Sequence, residues 1–389
     1  MILHRVFFLL VFGLLLITAC GDKEEMPTIP SDPSNPSDPS EEPVVDPPND
    51  LLDILHDPQP YNLVTPEWLG EMPIPADNPM TNEGVALGRA LFYDPIISAD
   101  SVMSCASCHF PSGSFTDNQA VSVGVDGIAG RRSSMSLLNV GYFQNGLFWD
   151  GGVQTLEEQA LLPIEDPIEL HTTWVEVIDK LRKHEIYPKM FRAAFDIADR
   201  DEMTKELAVK AIAQFERSLV SSGQSKYDQV LYGSGVFFTD DEFDGQELFF
   251  FESGVIDHPG CSHPACHSGP LFTSDEYVNN GLDAANDIND FEDLGRGAVT
   301  GNAFNNGQFR VPTLLNVALT PPYMHDGRFQ TLEEVLDHYS SGGHPSPTTD
   351  SNILPFTLSE EDKRKLIAFL HTLTDTTFTN NPAHQNPFE

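Results

Sequence analysis

The 389-residue chain is long enough for two domains of ordinary size, and 40 % hydrophobic with 21 % charged residues fits a globular protein rather than a disordered or fibrous one. Lys plus Arg total 21 against 59 Asp plus Glu, a formal net charge of −38. Such an anionic surface excludes nucleic-acid binding and docking on anionic lipid through basic side chains, and it favours cationic partners.

Residues 1–20 open with His4 and Arg5, run through an apolar stretch from Val6 to Ile17, and end Leu16-Ile17-Thr18-Ala19-Cys20. The stretch is short for a membrane span and ends on small residues, as a cleaved export signal does. Its ending resembles a bacterial lipobox, so Cys20 is expected to be lipidated and to hold the exported chain in the cell envelope, on the periplasmic or surface side. Residues 21–50 form a linker with eight prolines, among them Pro27, Pro30, Pro33, Pro36 and Pro39. Such a segment buries too little apolar surface to fold and favours extended polyproline II. At about 3.1 Å per residue it reads as a stalk reaching roughly 75 Å.

From there the chain repeats itself. Gly88-Arg89-Ala90-Leu91-Phe92, Cys105-Ala106-Ser107-Cys108-His109 and Phe115-Thr116-Asp117 return as Gly245-Gln246-Glu247-Leu248-Phe249, Cys261-Ser262-His263-Pro264-Ala265-Cys266-His267 and Phe272-Thr273-Ser274-Asp275. Leu138-Asn139-Val140, Asp150-Gly151 and Thr155-Leu156-Glu157-Glu158 return as Leu315-Asn316-Val317, Asp326-Gly327 and Thr331-Leu332-Glu333-Glu334, so the order is kept at offsets of 156 to 177 residues. Two copies of one unit, 51–234 and 235–389, meeting near Gly233-Ser234-Gly235, are expected. Apolar spacing predicts helices over 172–183 and 204–221. A capping box at Thr239 and Glu242 opens another through Phe251, and Ser359 followed by acids starts one over 365–371. Strand signals are sparse, and 281–307 reads as a Gly-, Asn- and Asp-rich loop.

Cys105-x-x-Cys108-His109 is the pattern of c-type haem attachment: two thiols one turn apart add to the vinyl groups, and the adjacent imidazole lies over the iron. Zinc lacks a fourth ligand of matching spacing nearby, and dithiol redox chemistry lacks its βαβ context. The second copy departs, with four residues between Cys261 and Cys266, so a metal-binding or structural loop stands beside the haem reading. With haem in both copies the cysteines sum to one lipid, four thioethers and no disulfide.

Together with Leu91-Phe92-Tyr93-Asp94-Pro95, Phe148-Trp149-Asp150-Gly151, Glu157-x-Gln159-Ala160, Val311-Pro312-Thr313-Leu314 and Pro322-Tyr323-Met324-His325-Asp326-Gly327, these motifs resemble the bacterial di-haem cytochrome c peroxidase family, MauG-type enzymes included, over about 82–375. The resemblance implies a mainly α protein of two cytochrome c-like domains with long loops, each binding one c-type haem. It implies a peroxide site at the N-terminal haem, held by Cys105, Cys108 and His109, and an electron store at the C-terminal haem, held by Cys261, Cys266 and His267. Trp149 matches the tryptophan between the haems, Glu169 the catalytic glutamate, and Gln159 and Pro163 the distal pocket; Glu165 and Asp166 are neighbours of Glu169 that could take its place. A carboxylate above an open iron can take a proton from the near peroxide oxygen and give it to the far one.

Val125 stands where reductively activated members carry an iron-capping histidine after the Ser-x-Gly motif, which implies a first haem open to peroxide. The axial position of the second haem falls on Tyr339, with His338 and Met324 as rivals; a phenolate lowers the potential relative to methionine. A calcium ion between the haems would match Ser133, Thr320 and Pro322, with Ser133 where an asparagine is usual. The implied activity is reduction of hydrogen peroxide with electrons from a small redox protein, its rim basic to suit the anionic surface, or oxidation of a partner protein. A non-catalytic electron-transfer cytochrome and a tethered haem sensor are the alternatives.

Overall fold

Thr81 opens the first helix by accepting the Gly84 N–H on its hydroxyl, and α1 (Asn82–Tyr93) buries Leu87, Leu91 and Phe92. The computed structural model describes residues 50–233, 235–250 and 259–389. The expected signal and lipidation site at Cys20, the stalk up to residue 49, and Ser234 lie outside the described residues. After α1 come α2 (Leu156–Glu165), α3 (Trp174–Lys183), α4 (Tyr187–Ala194), α5 (Lys205–Ser218), α6 (Lys226–Tyr232) and α7 (Asp240–Phe250). Then β1 (Tyr277–Val278), α8 (Arg296–Thr300), β2 (Phe309–Arg310), α9 (Leu332–Ser341), α10 (Glu360–Thr372) and α11 (Thr376–Thr379) complete the chain. The two strands pair antiparallel, Tyr277 opposite Arg310, on either side of the segment expected to be loop-rich. The helices expected over 172–183 and 204–221 form as α3 and α5: Thr173 and Thr204 serve as N-caps rather than as helical residues, and α5 ends three residues early, at Ser218.

The sequence repeat is a structural repeat. α1 packs on α5 through Gly88, whose added Cβ would lie 1.8 Å from the Ala211 carbonyl oxygen; α7 packs on α10 through Gly245, whose Cβ would lie 2.0 Å from that of Lys365. Only glycine permits either approach. Asn139 and Asn316 both take left-handed backbone at φ 60° before a short 3-10 turn. The Leu147–Val153 bridge has its counterpart in Tyr323–Phe329, and Thr155 and Thr331 cap α2 and α9. Among the described residues the helices α3 and α4 have no second-copy equivalent. With Leu87, Leu91 and Ile212 they form a core cluster around Trp174, Leu181 and Phe191. A second cluster runs from Phe92 and Phe115 through Phe249, Phe272 and Phe369, joining both copies.

The last residues return to the first copy: Tyr93 Oη donates to the His384 carbonyl (2.5 Å), Arg89 Nε to that of Gln385 (2.7 Å), and Phe378 packs on Phe115.

Candidate functional site

Each copy encloses a cavity around its Cys-His motif. The first, ≈ 1370 Å³, is lined by Cys105, Cys108, His109, Gln159, Pro163 and Glu169; the second, ≈ 800 Å³, by Cys261, Cys266, His267 and Tyr339. In the first, Cys108 and His109 both donate their amide N–H to the Cys105 carbonyl (3.1 and 3.0 Å), which winds the motif into one tight turn. His109 Nδ1 lies 2.7 Å from the Phe115 carbonyl oxygen. A carbonyl can only accept, so Nδ1 carries the proton and Nε2 keeps its lone pair for a metal. His267 repeats this with Nδ1 3.1 Å from both the Phe272 and Pro312 carbonyls. Burial holds His109 below its usual pKa and lowers His267 to about 4, so both imidazoles are neutral ligands at pH 7.

All four cysteines are free, and burial pushes the Cys261 thiol up to about 12 and the Cys266 thiol to about 11. Two thiols and an oriented imidazole on the wall of an otherwise largely apolar cavity are what a covalently held porphyrin requires; both cavities fit a c-type haem.

Gln159 and Pro163 of α2 line the first cavity as well, and Glu169 follows the turn that ends this helix. The Glu169 backbone is fixed by the Val125 N–H donating to its carbonyl (2.8 Å), and Gly124 leaves no room for a Cβ against Ile168. The loop of Val125 therefore braces Glu169 and brings no ligand to the cavity. Crowding by the cavity wall, with the Asp166 charge adding, raises the Glu169 carboxyl to about 7. Asp166 lines the same cavity, whereas Glu165 turns toward the Trp174 amide (3.4 Å).

Trp149 lines both cavities. Its indole N–H donates to the Ser133 carbonyl (2.9 Å), and its own carbonyl accepts from the Arg310 N–H (2.7 Å). His325, which holds the Trp149 slot in the repeat, also lines both and stacks on Phe309 with centroids 3.6 Å apart. In the second cavity Asn280 Nδ2 donates to Tyr339 Oη and to Met324 Sδ, each at 3.4 Å, and both residues line the cavity. His338 is drawn elsewhere, its Nε2 3.0 Å from the Asn280 carbonyl. Burial raises the Tyr339 phenol to about 12, so ligation as phenolate expels a proton.

Ser133 and Thr320 turn their hydroxyls to the Met324 and Val317 carbonyls (both 3.1 Å). Among the described residues no three His, Cys, Asp or Glu side chains gather around a metal-sized point.

Glu216 lies outside the residues anticipated from sequence. It is buried at 4 % exposure on the wall of the first cavity, its Oε2 has no hydrogen-bond partner, and burial raises its carboxyl to about 8. The signal was its place four residues after Ile212, on the inward stripe of α5.

Comparison with known proteins bears on the same residues. A family model described as di-haem cytochrome c peroxidase matches residues 82–235. The methylamine utilization protein MauG of Methylorubrum extorquens is 36 % identical over 307 residues, covering 78 % of this chain and 81 % of that protein. The cytochrome c551 peroxidase of Nitrosomonas europaea is 34 % identical over 303 residues, covering 78 % and 83 %. Among solved structures, a MauG-like protein associated with microbial copper homeostasis superimposes with a TM-score of 0.76 at 33 % identity, covering 85 % of this chain and all of that one.

Proposed function

Because this chain belongs to the di-haem cytochrome c peroxidase family, we propose that it reduces hydrogen peroxide at the cavity of His109 with electrons that enter through the cavity of His267. The observation that carries this assignment is the pairing, in the lining of one cavity, of an oriented imidazole with a carboxyl of pKa about 7. Haem iron bound there supplies the electron-transfer and O–O-activating chemistry.

The protein residues supply the rest. The Phe115 carbonyl holds the His109 imidazole in one tautomer. Glu169 takes the proton of the inner peroxide oxygen and returns it to the outer one, so that peroxide, two protons and two electrons leave as two waters. Gln159 and Pro163 shape the space above. Trp149, common to both walls, carries oxidising equivalents between the cavities, and Tyr339 with His267 would hold the haem of the second cavity.

Electrons come from a small redox protein, or from an oxidisable group on a partner protein in the manner of MauG-type modification. The charge of −38 favours a donor with a basic rim. We place the protein outside the cytoplasm, tethered through lipid on Cys20. Mature holoprotein should show one high-spin, open ferric centre by electron paramagnetic resonance and should turn over peroxide with a reduced c-type donor. A spectrum with only low-spin iron and no turnover would leave an electron-transfer cytochrome.

A further inference from the structure

Taking Tyr339 as a ligand of the second haem, as the proposed function does, we propose that Asn280 is a positioning residue that keeps the Tyr339 phenolate on the iron in preference to Met324 and His338. One residue meets all three candidates for that place. The Asn280 side-chain nitrogen lies 3.4 Å from both Tyr339 Oη and Met324 Sδ, and the Asn280 carbonyl oxygen lies 3.0 Å from His338 Nε2. Asn280, Met324 and Tyr339 all line the second cavity.

The three contacts differ in chemistry. A backbone carbonyl only accepts, so His338 Nε2 carries its proton there and has no lone pair to offer from that nitrogen. A thioether sulfur also only accepts, so the Asn280 amide must turn its NH2 group, not its oxygen, toward Met324. The same NH2 then faces Tyr339 Oη, one hydrogen for each partner. A phenolate oxygen can accept that hydrogen and bind a metal together. A hydrogen bond to a charged acceptor is worth more than one to a neutral, weakly accepting sulfur, so the amide favours tyrosine over methionine. On ligation the Oη–H bond breaks, the proton leaves to solvent and an oxygen lone pair goes to the metal; no electron is transferred.

Asn280 is held in place from both sides. Asn279, 2 % exposed, donates its side-chain amide to Ser346 Oγ (3.1 Å) and Thr348 Oγ1 (2.9 Å), and its Oδ1 accepts the Gly281 N–H (2.9 Å). The Asn279 carbonyl accepts the Asp350 N–H (2.9 Å), and the Gly281 carbonyl accepts the His344 N–H (2.6 Å). Gly281 is left-handed at φ 70°, and an added Cβ would lie 3.1 Å from the His344 carbonyl oxygen, so a side chain there would disturb the approach. Pinned at both neighbours, the Asn280 amide stays beside the last turns of α9, which carry His338 and Tyr339. The titratable groups around the phenol are Cys261, Cys266 and His338, whose ring lies 5.4 Å from that of Tyr339.

The test reads ligation rather than turnover. Ferric holoprotein is titrated toward acid while the low-spin electron paramagnetic resonance signal and the phenolate-to-iron absorption are followed. Asn280→Leu, close in volume but without a donor, should lose phenolate ligation about one to two pH units above wild type. That is the tenfold to hundredfold weakening that a lost hydrogen bond to a charged group brings. Asn280→Asp, of the same shape with no NH2, should shift the loss at least as far. Both variants keep the backbone carbonyl that holds His338. In wild type the phenolate C–O stretch, read by resonance Raman, should move on exchange into deuterium oxide. Variants that load both haems and release the phenolate at the wild-type pH overturn the role of Asn280 while leaving Tyr339 as ligand, and so does a C–O stretch insensitive to deuterium oxide. Haem loss with the pH midpoint unmoved in the remaining holoprotein makes Asn280 a packing residue only, which overturns it as well. A low-spin signal unaltered by Tyr339→Phe overturns both Asn280 and the ligand assignment.

Discussion

Glu169→Gln removes the acid–base group proposed for the first cavity while keeping the side-chain volume. With the Glu169 carboxyl at about 7, the fraction ionised rises from about one in eleven at pH 6 to about ten in eleven at pH 8. A base acting in that form gives kcat/KM for peroxide that climbs about tenfold across this window and then levels. Glutamine neither accepts the inner proton nor returns it, so turnover should fall by about 10²–10⁴, the usual worth of general acid–base catalysis, and the pH profile should flatten. The assay is stopped-flow oxidation of a reduced c-type donor by peroxide from pH 5.5 to 8.5, with haem content and the ferric spectrum checked to confirm that the cavity is intact. A variant with normal haem loading, wild-type turnover and an unchanged pH profile would refute the role given to Glu169. A flat profile in both proteins would refute the base mechanism.

Tyr339→Phe removes the phenolate donor, so the midpoint potential of the second haem should rise and its low-spin ferric signal should change; an unaltered signal would return the ligand to Met324. Glu157→Gln breaks a paired contact with Arg217 (2.8 and 2.9 Å), whose side chain is 4 % exposed, and should lower unfolding stability by about 3–5 kcal/mol in thermal or denaturant melts. Arg217 and Asn78 hold the Glu157 carboxyl below its ordinary value, so this contribution is present above about pH 4.5 and fades as pH falls through the depressed value. Glu216 has the opposite sign: its carboxyl is raised to about 8, so wild-type protein should lose stability from about pH 4.5 up to 8, by about 4 kcal/mol, and Glu216→Gln should abolish that slope. Turnover with a basic donor should fall as salt rises from 10 to 150 mM on the order of the Debye screening of exposed charges, while a neutral dye donor should show no such dependence.

What could be read in the sequence was local or repeated. Cys105-x-x-Cys108-His109 needs one turn of chain, and Thr331 with Glu334 fixes where α9 starts, so counting eight residues on reaches Tyr339. The repeat carried the second cavity even though its cysteine spacing alone was ambiguous. Counting residues between Cys261 and Cys266 does not show that the His267 amide still meets the Cys261 carbonyl, a contact made beside the hydrogen bonds of the intervening turn. Contacts of long range left no trace. Nothing in Tyr93 or Arg89 points to His384 and Gln385, nearly 300 positions away, and the pairing of β1 with β2 rests on two residues each. Glu216 was legible in principle, as a carboxylate on an apolar stripe, but a single charge on such a stripe is easily read as a helix edge.

The duplicated frame explains how one architecture yields two unlike haem sites. At the offset of 176 residues that carries Thr155 to Thr331, Trp149 corresponds to His325 and Pro163 to Tyr339. Both members of each pair face cavities: Pro163 the first, Tyr339 the second, and Trp149 and His325 the wall between them. The same position of the same helix, α2 in one copy and α9 in the other, thus lines the cavity of its own copy. A proline at that point has no group able to bind iron and leaves space for peroxide, with Glu169 supplied by the turn beyond. A tyrosine at the same point brings a phenol into the second cavity, which under the proposed function would hold the second iron. Division of labour between the two haems therefore requires no change of fold, only a different side chain at one helical position and a carboxylate on the loop that follows it.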